Sequence, residues 1–339
     1  MDDSPTVSVV ITAYNEEQYI GAALDSVVRQ TWSDWEVVVV DDGSTDDTKA
    51  VVQRYGDPVR YVYQENRGQP PARNRGIRAA RGEYIAFLDA DDLWHPEKLA
   101  RQMSRLKANP SAKWCYSDAF FFESSSGQVL HAVSQRQSLQ EGDIFQALLL
   151  GNFILSPTPV VHHEVFEAVG HFNEDPALRN GEDWAMWLRI AERYRVACVF
   201  EPLAFIRQHQ ARMSQGVDLS YALNSRLSIL ESALARHPAL DASLCRRARS
   251  NVYYAVGRWA LNRQHLAEAR RLFGRALRLA PMNRSAWAYL IATLVPQPVR
   301  ELAGSVRRAR WARERPEDGT RTVEQMMESA GAAGEAQYA

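Results

Sequence analysis

Four apolar runs, each ending abruptly in polar residues, set the rhythm of the first hundred positions. Val7-Ser8-Val9-Val10-Ile11-Thr12 gives way to Ala13-Tyr14-Asn15, and Trp35-Glu36-Val37-Val38-Val39-Val40 empties into Asp41-Asp42-Gly43-Ser44-Thr45-Asp46. Val59 to Gln64 reads as a third strand, and Tyr84-Ile85-Ala86-Phe87-Leu88 stops at Asp89-Ala90-Asp91-Asp92. Short continuous runs rich in β-branched residues suit strands of a parallel sheet covered on both faces. Between the first two, Ile20, Leu24, Val27 and Val28 recur at helical spacing, with Asn15 placed to cap and Glu16 and Glu17 in the first turn. A second helix runs through Val51, Val52 and Tyr55, capped by Thr45 or Asp46, and a third opens after Gly68 with Pro70 and Pro71 in its first positions. This alternation predicts right-handed βαβ units, whose ligands sit beyond the carboxyl ends of the strands. Thr12 to Asn15, Asp41 to Ser44 and Asp89 to Asp92 all fall at such ends.

From about Gly216 the pattern becomes purely helical. Tyr253, Val256, Gly257, Ala269, Phe273, Ala276 and Pro281, with Trp287 and Leu290 beyond, have spacing that resembles a tetratricopeptide repeat. One and a half repeats fall short of the roughly three needed for independent stability. The helices are therefore expected to pack on the preceding domain or to complete a groove with a protein partner. Val299 to Arg315 interleaves arginine with Leu302, Val306 and Trp311, which suits either an anionic membrane surface or a solvated helix. The tail after Pro316 is small and polar and is expected to be disordered. The division is 1–215, 216–298 and 299–339.

Charge narrows the partners. With 40 basic and 41 acidic residues the net charge is −1, and no global field argues for nucleic acid. Cys115, Cys198 and Cys245 are too few and too scattered for a disulfide framework or a metal knuckle, so each reads as a packed side chain in a reducing compartment. The start is acidic, unlike a signal peptide, and the longest apolar windows fall short of the roughly 20 residues that span a bilayer. A cytoplasmic location follows, with 299–315 as the candidate peripheral contact at the inner face of the membrane.

The acidic stretch carries the chemistry. Asp89, Asp91 and Asp92 repel one another unless a hard divalent cation sits among them; otherwise they form a solvated turn before the helix near His95-Pro96-Glu97. Arg73, in the opening turns of the third helix, marks a diphosphate site, while Arg75, Arg78 and Arg81 read as its wet face. Glycine-rich phosphate fingerprints are absent.

Taken together, Ser8 to Glu16, Val39 to Asp46, Asn66 to Asn74 and Leu88 to Asp92 resemble, in order and spacing, the family 2 glycosyltransferases, over about residues 5 to 215. The resemblance implies an α/β domain of GT-A fold, with a Rossmann-like mixed sheet, followed by an all-α region. It implies an inverting, metal-dependent enzyme that moves sugar from a nucleotide sugar, a UDP-sugar foremost, to a hydroxyl of a carbohydrate or lipid-linked acceptor in cell-surface polysaccharide, glycolipid or glycan biosynthesis. Thr12, Tyr14, Glu16 and Asp41 then fall where the family holds the nucleotide, Arg73 at its phosphates or base, and Asp89 at the ribose. Asp91 falls at the metal, Mn²⁺ or Mg²⁺, with Asp92 a competing ligand. Asp183 falls at the general base, with Glu182 its fallback; the bland role for Asp183 is capping the helix Trp184 to Tyr194. Gly170-His171-Phe172-Asn173 departs from the family pattern on the acceptor side. Arg207-Gln208-His209 with Ser214 resembles the closing segment, where His209 reaches the diphosphate or metal or lies in a surface loop; His162 and His163 read as structural. A nucleotidyltransferase and a non-catalytic nucleotide-sugar-binding scaffold are the competing readings.

Overall fold

The computed structural model describes residues 4–178, 180–209, 218–296 and 321–328. Four parallel strands form the first half of the sheet around β1 (Val7–Ala13), with β2 (Trp35–Asp41) on one side and β4 (Tyr84–Asp89) on the other; β3 (Val59–Tyr63) flanks β2. Between them in sequence lie α1 (Ile20–Val28), α2 (Thr48–Gln53) and α3 (Gln69–Ala79). The valines and isoleucine of β1 and β2 are buried on both faces, which is why these strands read as unbroken apolar runs.

α3 lies close on β1 because residue 76 is glycine. A Cβ there would come within 2.2 Å of a Val10 methyl. Gly68, at φ 89°, turns the chain into this helix, and Pro70 and Pro71 occupy its first turn.

The second half of the sheet was the part that apolar runs did not reveal. It contains β5 (Leu93–Trp94), β6 (Ala112–Glu123), β7 (Val129–Ala132), β8 (Val160–His162) and β9 (Arg195–Gln208), with α4 (Lys98–Ala108), α5 (Phe145–Leu150), α6 (His163–Val169) and α7 (Glu182–Ala191) between them. The order across the sheet is β3-β2-β1-β4-β8-β6-β9-β5, with β7 paired to β6. β8 is antiparallel to β4 and β6, so the sheet is mixed, as expected for the GT-A class.

Three caps differ from expectation. The N-cap of α2 is Asp47 rather than Thr45 or Asp46, although Asp46 Oδ1 accepts from Thr48 N (3.0 Å). Asn15 does not cap α1, whose N-cap is Tyr19; it takes a left-handed φ of 56° and accepts a hydrogen bond from Thr45 N (2.8 Å), tying the loop after β1 to the loop after β2. Asp183 does not cap α7 either. Gly181 holds that position and Asp183 lies in the first turn.

The C-terminal helices are α8 (Leu219–Arg236), α9 (Ala242–Asn262), α10 (Leu266–Leu279) and α11 (Arg284–Ala292). Asp218 and Asp241 cap α8 and α9 through their side chains. Gly257 of α9 packs on Phe273 of α10 so closely that a Cβ would stand 2.8 Å from the ring. Leu219, Leu223, Ile229 and Leu230 of α8 share one buried cluster with Trp184 and Trp187 of α7 and Phe87 of β4. Helices and sheet thus have a continuous core, as the shortness of the helical region required.

The expectation of a disordered tail fails over residues 321–328. Thr322 bridges Gln128, and Val323 is buried against Leu93, Phe120, Phe122 and Phe205, with Met326 and Met327 beside it. The apolar side chains of this short segment outweighed its polar surroundings. The arginine-rich stretch 299–315 lies outside the described residues. Among the described residues no helix is long and apolar enough to cross a membrane.

Candidate active site

A cavity of about 920 Å³ opens at the carboxyl ends of β1 and β4. Thr12, Tyr14, Glu16, Arg73, Asp89, Asp91, Asp92, Glu182, Asp183 and His209 all line it, so residues up to nearly two hundred positions apart in the motif reading are brought together.

Asp41 is the exception. It is 1% exposed, and its carboxylate accepts from Ser44 N (2.7 Å) and the Tyr61 hydroxyl (2.5 Å), folding the loop rather than lining the cavity. Its neighbour Asp42 does line it, accepting from Gln64 Nε2 (2.6 Å), Arg67 N (2.9 Å) and Gly68 N (2.7 Å). The loops after β1 and β2 are laced by further bonds, among them Asn15 N to Ser44 Oγ (2.9 Å) and Glu16 N to Thr48 Oγ1 (2.9 Å).

Beneath the rim Arg73 is 2% exposed. Its Nη2 donates to Asp89 Oδ1 at 2.9 Å, and its Nη1 lies 3.6 Å from Glu182 Oε1. Burial acts to lower its pKa, but the charges of Asp89, Glu182 and Asp183 prevail and raise it. Arg73 is therefore a strut joining the carboxylates of β4 to those of α7. Arg78 and Arg81 do lie toward solvent on the same helix and just after it, and Arg81 pairs with Glu36 at 2.9 Å.

The two competing aspartates have separate surroundings. Asp92 is fully buried, and its Oδ1 accepts from Arg207 N at 2.8 Å. Asp91 is partly exposed, and its Oδ2 lies 2.9 Å from His209 Nε2. His209 stands in the cavity wall rather than in a surface loop; Ser214 lies outside the described residues. Glu16 is pushed up to about 7, first by burial and then by the charges of Asp91 and Asp89, so negative charge accumulates at this end. Among the described residues no three His, Cys, Asp or Glu side chains converge tightly enough to hold an ion unaided.

In the first turn of α7 Asp183 Oδ2 accepts from Asn152 Nδ2 (3.0 Å) and Oδ1 from Trp184 N (2.6 Å). Burial and the adjacent Glu182 push its pKa up to about 6, against the lowering charge of Arg73. α7 is held in place by its tryptophans: Trp184 Nε1 donates to Leu148 O (2.8 Å) and Trp187 Nε1 to Ile154 O (3.2 Å). The atypical loop at Phe172 is clamped by Asn74, which exchanges two 2.8 Å bonds with its backbone.

Two lining residues come from the C-terminal helices, beyond every motif. Arg226 of α8 and Trp259 of α9 close the wall beside Asp183, the guanidinium carbon 4.9 Å from the indole centre. A signal was present: Ala222, Arg226, Ile229 and Ala233 share one face of α8, so Arg226 interrupts an apolar stripe. His162 and His163 lie away from the cavity, where His162 caps α6 and His163 Nδ1 meets Gly82 O at 3.2 Å. Burial pushes the Cys115 and Cys198 thiols up to about 12, which makes them packing groups rather than nucleophiles.

Residues 8–154 match the family model described as Glycosyl transferase family 2. An uncharacterized glycosyltransferase of Haemophilus influenzae is 30% identical over 215 residues, 62% of this chain and 71% of that protein. The chain belongs to glycosyltransferase family 2. This glycosyltransferase also aligns with an uncharacterized glycosyltransferase of Rickettsia prowazekii at 29% over 230 residues, 67% of the chain and 69% of the relative. Other curated relatives are longer; it spans 33% of one from Rickettsia bellii. Its fold is that of S. aureus TarS 1–349, solved also with UDP-GlcNAc (TM-score 0.58, 18% identity, 90% of this chain and 92% of that one). It is equally that of the mannosyltransferase PcManGT from Pyrobaculum calidifontis, solved with GDP-Man and Mn²⁺ (TM-score 0.56, 20% identity, 98% and 87%).

Proposed function

We propose that this glycosyltransferase transfers a sugar, with inversion, from a nucleoside diphosphate donor of the UDP-sugar type to a hydroxyl of a carbohydrate or lipid-linked acceptor, with Asp183 as general base. The observation that carries the reading is that one cavity gathers Asp89, Asp91 and His209 together with Asp183, which is held by Asn152 and raised to about 6. A base poised near the working pH takes a proton most effectively as the transition state forms. Asp183 accepts the acceptor hydroxyl's proton, the hydroxyl oxygen bonds to the anomeric carbon, and the bond from that carbon to the diphosphate breaks on the opposite face. Developing positive charge on the sugar is met by the carboxylates that line this cavity.

Thr12, Tyr14 and Asp42 take the nucleoside, with Glu16 beside them and Asp41 holding the loop. Arg73 fixes the relative position of Asp89 and Glu182 rather than reaching the phosphates itself. The donor set fits a divalent cation: charge builds up around Glu16 and Asp91, while the side chains alone cannot complete a shell, as suits an ion finished by substrate phosphates. Asp91 with His209 would hold Mn²⁺ or Mg²⁺, and Asp92, buried on Arg207 N, would support them. Such an ion supplies charge neutralisation on the departing diphosphate. A neighbour of the same fold carries Mn²⁺ with its sugar nucleotide, which supports this assignment. The α9–α10 hairpin, closed by Gly257 on Phe273, supports a tetratricopeptide-like reading of that pair.

Asp183→Asn tests the proposal. UDP release from a UDP-sugar in the presence of acceptor should fall by roughly 10² or more, with UDP binding unchanged. Retained turnover removes Asp183 from the role, and release of pyrophosphate from a nucleoside triphosphate would favour nucleotidyl transfer instead.

A further inference from the structure

The wall beside Asp183 is built by the C-terminal helices, and its chemistry differs from the rest of the cavity. Arg226 occupies a place on α8 where Ala222, Ile229 and Ala233 would lead one to expect another apolar side chain. Its Nε is buried with no hydrogen-bond partner among the described residues. A buried polar group left unsatisfied is costly, and a guanidinium in particular is kept where it has a planar anion to meet. Burial lowers the Arg226 pKa, offset by the charges of Asp183 and Glu182. Those two are the carboxylates that act on it, whereas Glu16 answers to Asp91 and Asp89. Arg226 therefore belongs to the end of the cavity where the accepting hydroxyl must approach the base. Trp259 lies under the guanidinium at 4.9 Å and lines the same cavity, offering an aromatic surface of the kind on which a sugar ring rests.

Building on the general-base reading of Asp183, we propose that Arg226 and Trp259 form an acceptor subsite for a sugar that carries an anionic group, a carboxylate or a phosphate. The fork of Arg226 pairs with the anion and fixes which hydroxyl faces Asp183. The specificity of the enzyme for its acceptor is then set by helices outside the region that the family model matches, since that region ends at residue 154.

The test uses the full chain saturated with UDP and Mg²⁺, titrated calorimetrically with methyl glucuronide, methyl glucoside 6-phosphate and methyl glucoside. At least one of the two anionic probes should bind about tenfold or more tightly than the neutral glucoside, and which one does so identifies the carboxylate or the phosphate as the ligand. Arg226→Gln should abolish that preference while leaving UDP affinity unchanged. Trp259→Ala should weaken all probes alike and keep the preference, and it serves as the second variant should Arg226→Gln fail to fold. Anionic probes that bind no better than methyl glucoside, or a preference that survives Arg226→Gln, overturn the proposal. Failure of the wild-type chain to bind UDP would instead remove the donor-site reading on which it rests.

Discussion

Replacing Arg73 with methionine tests whether one guanidinium holds the carboxylates of β4 and α7 together. Methionine keeps much of the side-chain length and removes the charge, so the change isolates electrostatics from volume. The guanidinium is 3% exposed, and its partners Asp89 and Glu182 are 21% and 11% exposed. Removing one member of so buried a set leaves carboxylates without compensation, which costs about 3–5 kcal/mol. The partial exposure of Asp89 points to the lower end, about 3 kcal/mol, or roughly a 4 °C fall in Tm for a chain of this size. The loss depends on pH with a definite sign. The pKa of Asp183 is already raised above the ordinary carboxylate value, and Arg73 is the cation that lowers it most. Without Arg73 its folded-state pKa rises further, so the penalty is present where Asp183 is ionised and shrinks as pH falls through about 6. Thermal melts at pH 8 and pH 5 should therefore show the larger loss at pH 8. A fall of less than 2 °C at pH 8, or equal losses at the two values, would refute the strut.

Other expectations concern single contacts. With Asp183 as base, kcat/KM should decline about tenfold per pH unit below about 6, because the protonated carboxyl cannot accept the hydroxyl's proton; a profile flat from pH 7 to 5 contradicts the assignment. Gly76→Ala should cost about 1–3 kcal/mol in urea unfolding, since its Cβ would press within 2.2 Å of Val10 and lift α3 from β1. Asp91→Asn should abolish the contribution of Mn²⁺ to UDP binding with little change in Tm, whereas Asp92→Asn, which weakens the bond to Arg207 N, should lower Tm first; calorimetry and melts of both variants separate the two, and the reverse pattern would exchange their roles.

What could be read from the chain follows from where the information lies. Val7 to Asp92 is a series of buried parallel strands, and each strand's apolar run and the polar loop after it are contiguous, so both the architecture of this half and the carboxylates it sends to the cavity were visible. Which of two adjacent aspartates faces the cavity was not visible, because that depends on strand parity and cross-strand partners: Tyr61 of β3 takes Asp41, and the turn at Gly68 takes Asp42. Asn15 looked like a cap because capping and left-handed turns favour the same side chain. The second half of the sheet was hidden by strands of three residues, such as β8, and by β9, where Pro202 and exposed Phe200 and Glu201 interrupt the pattern. Arg226 and Trp259 reach the cavity from separate helices, and no local spacing links them to Asp183.

The shared packing of α7 and α8 bears on how acceptor choice can be altered. Trp184 and Trp187 serve two neighbours at once: one side of their helix orients Asp183, and the other is sealed by Leu219, Leu223 and Leu230. A chimera that joined the front of this enzyme to the helices of a relative at residue 215 would set mismatched surfaces against those indoles and tilt Asp183 along with them. A test of the proposed acceptor subsite by exchange therefore has to proceed by point changes on the cavity side of α8 and α9, or by moving α7 together with its covering helices as a single graft.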